Sequence, residues 1–163
     1  LIFYHSIVKA ILTKTFADLN AKKIEAVIAR FTKNAEHYFI GEHALSGTRQ
    51  SLPSIEKWYG RLFALFPDIQ FQLKHIDVAG MPWHTVATVY WSETNCGTDG
   101  IQTTNTGLNV VVIRWGKVCS VRIYTDTQRL VNTLDRLALS GNVYAHATPI
   151  VDELGRSACV PHC

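Results

Sequence analysis

The chain has 163 residues, with sixteen Lys and Arg against thirteen Asp and Glu, and it is 47% hydrophobic but only 18% charged. This composition excludes a disordered chain, a coiled coil and a collagen-like repeat, and a net charge of +3 leaves no electrostatic footprint for nucleic acid. A chain of this length needs no disulfide or metal staple, and because average proteins carry about 25% charged residues, its surplus apolar surface must enter a cavity or a partner.

Helical spacing opens the chain: Ile7, Ala10, Ile11, Phe16 and Leu19 share one face. Asn20 reads as the cap of a second short helix carrying Ile24, Val27, Ile28 and Phe31, which ends at Asn34. An extended piece over 37–40 leads through a Gly- and Ser-bearing loop to a third helix. Ser51, Pro53 and Ser54 open that helix, and Ile55, Trp58, Leu62, Phe63, Leu65 and Phe66 run along it until Pro67 stops it.

From Ile69 the period changes to two. Strands are expected over 69–77, 83–93, 101–115 and 118–126, separated by Gly80-Met81-Pro82, by the Gly-, Asn- and Asp-bearing stretch 95–100, and by Gly116-Lys117. Turns this short require an antiparallel meander. A last helix over 127–140 closes on Gly141, and 142–163 reads as an irregular tail. The expected fold is α+β, in one domain over 1–163 with its core at about 5–141. A curved antiparallel sheet packs against three N-terminal helices, and a further helix follows the last strand. Val110 to Ile113 are apolar at consecutive positions, so both faces of that strand should be covered. A homodimer through the outer sheet face follows.

No run approaches the ~20 apolar residues of a spanning helix, and His5 and Lys9 interrupt the apolar start, which reads as a helix rather than a signal peptide. The four cysteines, at 96, 119, 159 and 163, have no CxxC spacing and read as free thiols of a cytoplasmic protein. Cys159, His162 and Cys163 cluster in the tail but are too few to hold a metal alone, and seven His are scattered without ligand spacing. GxGxxG, P-loop, HExxH and GxSxG motifs are missing. The expectation is therefore no cofactor, no metal, and no nucleic-acid or membrane partner.

Several short strings occur in a telling order. Gly47-Thr48-Arg49 precedes the third helix, Trp58 and Arg61-Leu62-Phe63 lie within it, and Phe66-Pro67-Asp68 follows. Next come Gly80-Met81-Pro82-Trp83, Trp115-Gly116-Lys117 and Tyr124-Thr125-Asp126-Thr127. Over about residues 5–150 this order resembles the nuclear-transport-factor-2-like superfamily, and within it the SnoaL-like branch of polyketide cyclases and cofactor-free isomerases. The resemblance implies a cone with an apolar interior and a small apolar molecule as partner.

Asp126 is the leading candidate for chemistry. A carboxylate ending a mostly apolar strand and facing a closed cone would be desolvated and tuned for acid–base work; the bland reading is a helix cap. The resemblance gives an Asp at this last-strand position the acid–base part. Of the five positions used by limonene-epoxide-hydrolase relatives, only Asp126 is kept, since Tyr90 and Ser92 stand for the second Asp and its Arg, and His37 and Phe39 for the Tyr and Asn. Epoxide hydrolysis is thereby disfavoured. The ketosteroid-isomerase base and acid positions fall near Tyr38 and Asn109, so that set is also broken. Tyr90 and Asn109 remain as donors to an enolate oxygen, and His37 as a base or orienter. Phe39, Trp58, Leu62, Phe66, Ser92 and Tyr124 complete the expected substrate wall. Two readings stand: cyclase- or isomerase-like chemistry on a polyketide- or terpenoid-like substrate, or a non-catalytic module that binds a hydrophobic ligand or dimerises.

Overall fold

The computed structural model describes residues 1–152. Three helices, α1 (Ile2–Asn20), α2 (Ile24–Ile28) and α3 (Leu52–Leu65), and a fourth, α4 (Thr127–Leu139), accompany one sheet. Its strands are β1 (Phe31–Phe39), β2 (Gly47–Arg49), β3 (Gln70–Met81), β4 (His84–Asn95), β5 (Thr103–Arg114) and β6 (Lys117–Thr125). The order across the sheet is β2-β1-β6-β5-β4-β3. From β3 to β6 it is the expected meander, and β1 joins parallel to β6, with Phe39 level with Ile123.

The expected elements appear, with differences in detail. Asn20 ends α1 and bonds the Phe71 backbone instead of capping α2, and α1 buries Val8, Leu12, Phe16 and Leu19 while Ile7 and Ile11 stay exposed. The helix expected through Asn34 ends at Ile28, and Phe31 already belongs to β1. There the Arg30 carbonyl accepts from the Val118 N–H and the Lys117 ammonium donates to the Ala29 carbonyl, so sheet pairing captures the chain. The loop after β1 contains the short β2, whose Arg49 pairs with His37. Elsewhere local signals hold: the Ser51 hydroxyl caps α3 by accepting from the Ser54 N–H, and Gly141 follows α4 at φ +94°.

The sheet curves without closing, and α1 and α3 lie in its concave face. Inward side chains follow one phase of each strand: Ala35, His37 and Phe39 on β1, Ala87, Val89 and Trp91 on β4, Val111 and Ile113 on β5, Val121 and Ile123 on β6. They meet Val8, Leu12, Phe16 and Leu19 of α1 and Ile55, Trp58, Tyr59 and Leu62 of α3 in a continuous core.

The described part of the tail, through Asp152, is tied to the body of the domain. Arg49 and Arg61 donate to the Ile150 and Thr148 carbonyls, and Asp152 accepts from the Gln50 N–H and the Ser51 hydroxyl. This strap runs along β2 and the start of α3. Residues 142–152 do not line the inner cavity, so its described part is no lid over it. Among the described residues Cys96 and Cys119 are free thiols and no helix is long and apolar enough to cross a membrane; the Cys159–His162–Cys163 cluster lies outside the described residues.

Candidate functional site

The concave face encloses two adjoining chambers. The inner one, about 60 Å3, lies under α3 and the far halves of β4 and β5. The outer one, about 170 Å3, lies between α1 and the near ends of β5 and β6. Phe16, Leu19, Tyr59 and Asn109 line both and form the partition.

The walls of the inner chamber are mostly apolar, and one carboxyl group breaks them. Glu93 sits on the inward phase of β4, 9% exposed, in register with Asn105. Burial holds its carboxyl above the ordinary glutamate value; the Asn95 amide, donating to Oε2 at 2.9 Å, pulls the other way, and the charge of Asp68 adds to the rise. Asn95 cannot turn away, because its own oxygen accepts from the Gly97 N–H and the Thr103 hydroxyl, both at 3.1 Å. One Glu93 oxygen is thus fixed, and the other has no partner among the described residues.

At the other end stands Asn109. Trp91 donates its indole N–H to the Asn109 side-chain oxygen at 2.9 Å. An indole N–H only donates, so the oxygen must face it, and the Asn109 NH2 is left without a partner among the described residues. Asn109 is level with Val89, four residues from Glu93 along β4, or roughly 13 Å between backbones. Asn105, by contrast, is spent on backbone: it accepts from the Thr106 N–H and donates to the Asp126 carbonyl. Tyr59 reaches the partition from α3; burial pushes its phenol well above the usual value, so it stays protonated, and it has no partner among the described hydrogen bonds.

Of the residues singled out from sequence, Asn109, Phe39, Leu62 and Phe66 line the inner chamber. Trp58 is buried beside it, its indole donating to the Leu45 carbonyl, and touches neither chamber. His37 is fully buried under the rings of Trp58 and Tyr59, at 4.4 and 5.6 Å between centroids, and lines no chamber. Its Nδ1 accepts from Arg49 at 3.2 Å and its Nε2 has no partner among the described residues. Burial, with the Arg49 charge adding, keeps this imidazole well below its ordinary value and hence neutral, so it is sealed off rather than poised as a base.

Tyr90, Ser92 and Tyr124 lie on the outer face, one residue out of phase with Trp91, Glu93 and Thr125. Asp126 is exposed at the N-terminus of α4, where its Oδ1 accepts from the Arg129 N–H at 3.0 Å. It lines neither chamber. The cap reading is therefore what the geometry holds, and the expected cone-facing carboxylate is Glu93. The signal for it was present in the alternation: Ala87, Val89 and Trp91 share its phase. It was masked because Val86 and Tyr90 make the opposite phase equally apolar to the eye.

A curved open sheet with helices in its concave face and a lined chamber between them defines a nuclear-transport-factor-2-like cone. Residues 12–121 match the model of the SnoaL-like domain, and the chain belongs to that family. Among solved structures it is similar to PrhC from Penicillium brasilianum, at 13% identity and a TM-score of 0.71, covering 83% of this chain and 91% of that one. It is similar also to TerC co-crystallised with polyporic acid (15% identity, TM-score 0.62, 78% and 97% covered). ActVI-ORFA from Streptomyces coelicolor matches at 13% identity and a TM-score of 0.60, with 76% and 98% covered. At these identities the likeness is one of fold. No curated protein matches the chain in sequence.

Proposed function

We propose that the protein is a cofactor-free enzyme that moves a proton on a small apolar, carbonyl-bearing molecule, of polyketide or terpenoid type, held in the cone. Glu93 is the acid–base group. The observation that carries this reading is a single carboxyl, raised by burial, with one oxygen anchored by Asn95 and the other free in an apolar chamber. A raised carboxyl takes a proton from carbon or returns one near neutral pH more readily than an ordinary glutamate. The free NH2 of Asn109, oriented by Trp91, donates to the oxygen on which enolate charge develops. The rough 13 Å between the two backbones is shortened by both inward side chains, which leaves room for a substrate that turns its carbonyl oxygen toward Asn109 and its acidic α (or vinylogous) C–H toward Glu93. The co-crystallisation of TerC with polyporic acid supports a small organic occupant for this kind of cone.

Hydrogen–deuterium exchange at the activated carbons of a panel of cyclic ketones, followed by NMR in heavy water, tests the reading without knowledge of the product. Exchange should be catalysed by the protein, lost in Glu93→Gln and retained in Asp126→Asn. Exchange lost with Asp126→Asn and kept with Glu93→Gln would overturn it.

One observation favours the second reading, a non-catalytic ligand-binding module. Each chamber is smaller than the ~300 Å3 of a typical ligand site. A drug-sized ligand must span both, with Phe16 and Tyr59 turning aside. Ligand binding without exchange would select this reading. In either case a homodimer through the outer sheet face is part of the proposal.

A further inference from the structure

One end of the molecule differs in chemistry from the rest. The β3–β4 and β5–β6 turns lie side by side there, joined by the Trp115 N–H to the Pro82 carbonyl at 2.6 Å, with the Trp83 and Trp115 rings 6.4 Å apart. Both indoles stand in the open, 53% and 74% exposed, and Met81 beside them is 40% exposed. The first turns of α1 belong to the same end: the Tyr4 hydroxyl bonds the Thr85 hydroxyl at 2.6 Å, and the His5 ring bonds the Gly80 carbonyl at 2.9 Å. There α1 leaves Phe3, Ile7 and Ile11 exposed.

Charge at this end is mostly positive. Over 1–17, 78–92 and 107–125 there is no Asp or Glu, while Lys9, Lys14, Arg114, Lys117 and Arg122 occur there; Arg122 is paired with Glu36, and α2, whose neighbouring Ala29 carbonyl accepts from Lys117, adds the exposed Glu25. The nearest acid of α1, Asp18, is already held by Arg30 at 2.8 Å and Lys14 at 3.1 Å.

We infer that this end docks on the surface of an anionic phospholipid bilayer, with Trp83 and Trp115 in the headgroup region and Lys9, Arg114 and Lys117 against the lipid charge. Indoles with an apolar body and one N–H settle at the membrane–water boundary, and cations around such a patch add affinity for anionic headgroups. Exposed apolar surface rimmed by polar groups marks an interaction site, and the charge decides between occupants. In a two-fold contact between copies the patch meets itself, which would set these cations against their equals in excess over Glu25 of α2. The outer face of the sheet, whose Arg122 is already paired with Glu36, is the surface proposed for self-association. Docking at a surface differs from crossing, and it revises the expectation of no membrane partner.

The outer chamber opens in the same patch, since Ile7, Ile11 and Gly116 are its exposed lining residues. An apolar ligand dissolved in the bilayer would enter the cone there without crossing water. That consequence rests on the proposed function; the docking itself does not.

The test is sedimentation of the full chain with vesicles of phosphatidylcholine alone or mixed with phosphatidylserine, no ligand being added. Binding is expected to the mixed vesicles, weakening as salt rises. Vesicles with brominated acyl chains should quench the emission of Trp83 and Trp115, while buried Trp58 and Trp91 keep theirs. Trp83→Ser with Trp115→Asn should lower binding at least tenfold and remove the quenching. Lys9→Gln with Lys117→Gln should lower it roughly twenty-five-fold, at about fivefold for each cation. An unchanged melting midpoint certifies that each variant is folded. Absence of binding at low salt, or binding that survives either pair of substitutions, overturns the proposal. So does a change in the sedimentation coefficient of the vesicle-free tryptophan variant, which would assign the patch to a protein contact. None of these outcomes depends on Glu93, so failure here and failure of proton transfer are read separately.

Discussion

Trp91 and Asn109 fix each other across two strands, the indole N–H donating to the carboxamide oxygen at 2.9 Å. The contact exists because Gly107, level with Trp91 on β5, has no side chain: a Cβ there would stand 2.6 Å from the indole and closer still to the Tyr124 carbonyl. The strand opens a slot, the indole fills it, and the indole turns the Asn109 NH2 toward the chamber. Asn109→Leu should therefore lower catalysed exchange by about a hundredfold, the scale of a lost oxyanion donor. It should also cost roughly 1–3 kcal/mol of stability for the unpaired indole N–H. Chemical denaturation and the exchange assay check both. Gly107→Ala, which displaces the indole and leaves Asn109 in place, should lower exchange through the same contact.

Glu93 makes an opposite prediction for stability. Its carboxyl lies above the ordinary value because burial disfavours the charge. A group raised on folding favours the native state while it is protonated and ceases to do so as pH rises through its folded value. Above its folded value the native protein thus carries a charge it holds poorly, and there Glu93→Gln, which keeps an oxygen for the Asn95 amide, should raise the melting midpoint. The gain should shrink as pH falls below the ordinary carboxyl range. Proton-transfer activity should meanwhile fall by about 10²–10⁴. A variant both more stable and inactive is the signature of a group retained for chemistry rather than folding.

Asp126 separates capping from catalysis. With its oxygen on the Arg129 N–H and its side chain in solvent, Asp126→Ala should cost about 1 kcal/mol, as for other N-caps. Asp126→Asn, an equally good cap, should cost nearly nothing. Neither should change the exchange rate.

Much of the architecture was legible because local chemistry and burial agree. The Ser51 cap, the Pro67 stop, the glycine turns and Gly141 each act within a few residues. The parallel pairing of β1 with β6 was not legible, since it joins residues some eighty positions apart that carry no local mark of each other. Phe31 was misread as helical because Ile24, Val27, Ile28 and Phe31 fit a three-and-four spacing until the sheet claims the last of them. At the site, Leu62 and Phe66 were legible from helical spacing, and Phe39 and Asn109 from the family resemblance, whereas Tyr90, Ser92 and Tyr124 were placed one residue out of phase. In a two-faced strand that single step exchanges core for surface, and it exchanged Ser92 for Glu93.

His37 should make the fold sensitive to mild acid. Its imidazole, buried and facing Arg49, lies well below its ordinary value of 6.5. The unfolded chain therefore binds a proton near 6.5 that the native state refuses. The stability this contributes is fully present above about 6.5 and is lost as pH falls toward the folded value. His43, also lowered by burial, adds to the same slope. Denaturation midpoints at about pH 7.5 and 5.5 should differ in this sense. In His37→Gln, which keeps an acceptor for the Arg49 N–H but does not titrate, the difference should shrink. An equal slope in the variant would assign the effect to other groups.

The outer face of the sheet carries the proposed self-association. On β5, Leu108, Val110 and Val112 point outward and are half-buried, flanked by Tyr90, Thr88 and Val86 of β4 and by Tyr124, Arg122 and Ser120 of β6. Polar contacts stand toward its margins, the Arg122–Glu36 ion pair and the His75 ring bonded to Asp77, both at 2.8 Å. An apolar centre inside a charged rim is the anatomy of an interface, and a two-fold axis near Val110 lets opposite charges on the rims exchange partners. Val112 is the position at which to break it, because its cross-strand neighbours, Val86 and Ser120, are uncharged. Val112→Glu would carry a carboxylate into the apolar centre on both copies at once, while the neighbouring Arg122 is already held by Glu36. Sedimentation velocity at micromolar concentration should then show a dimer for the wild-type chain and a monomer for the variant. A wild-type monomer would leave the apolar strand without its expected cover.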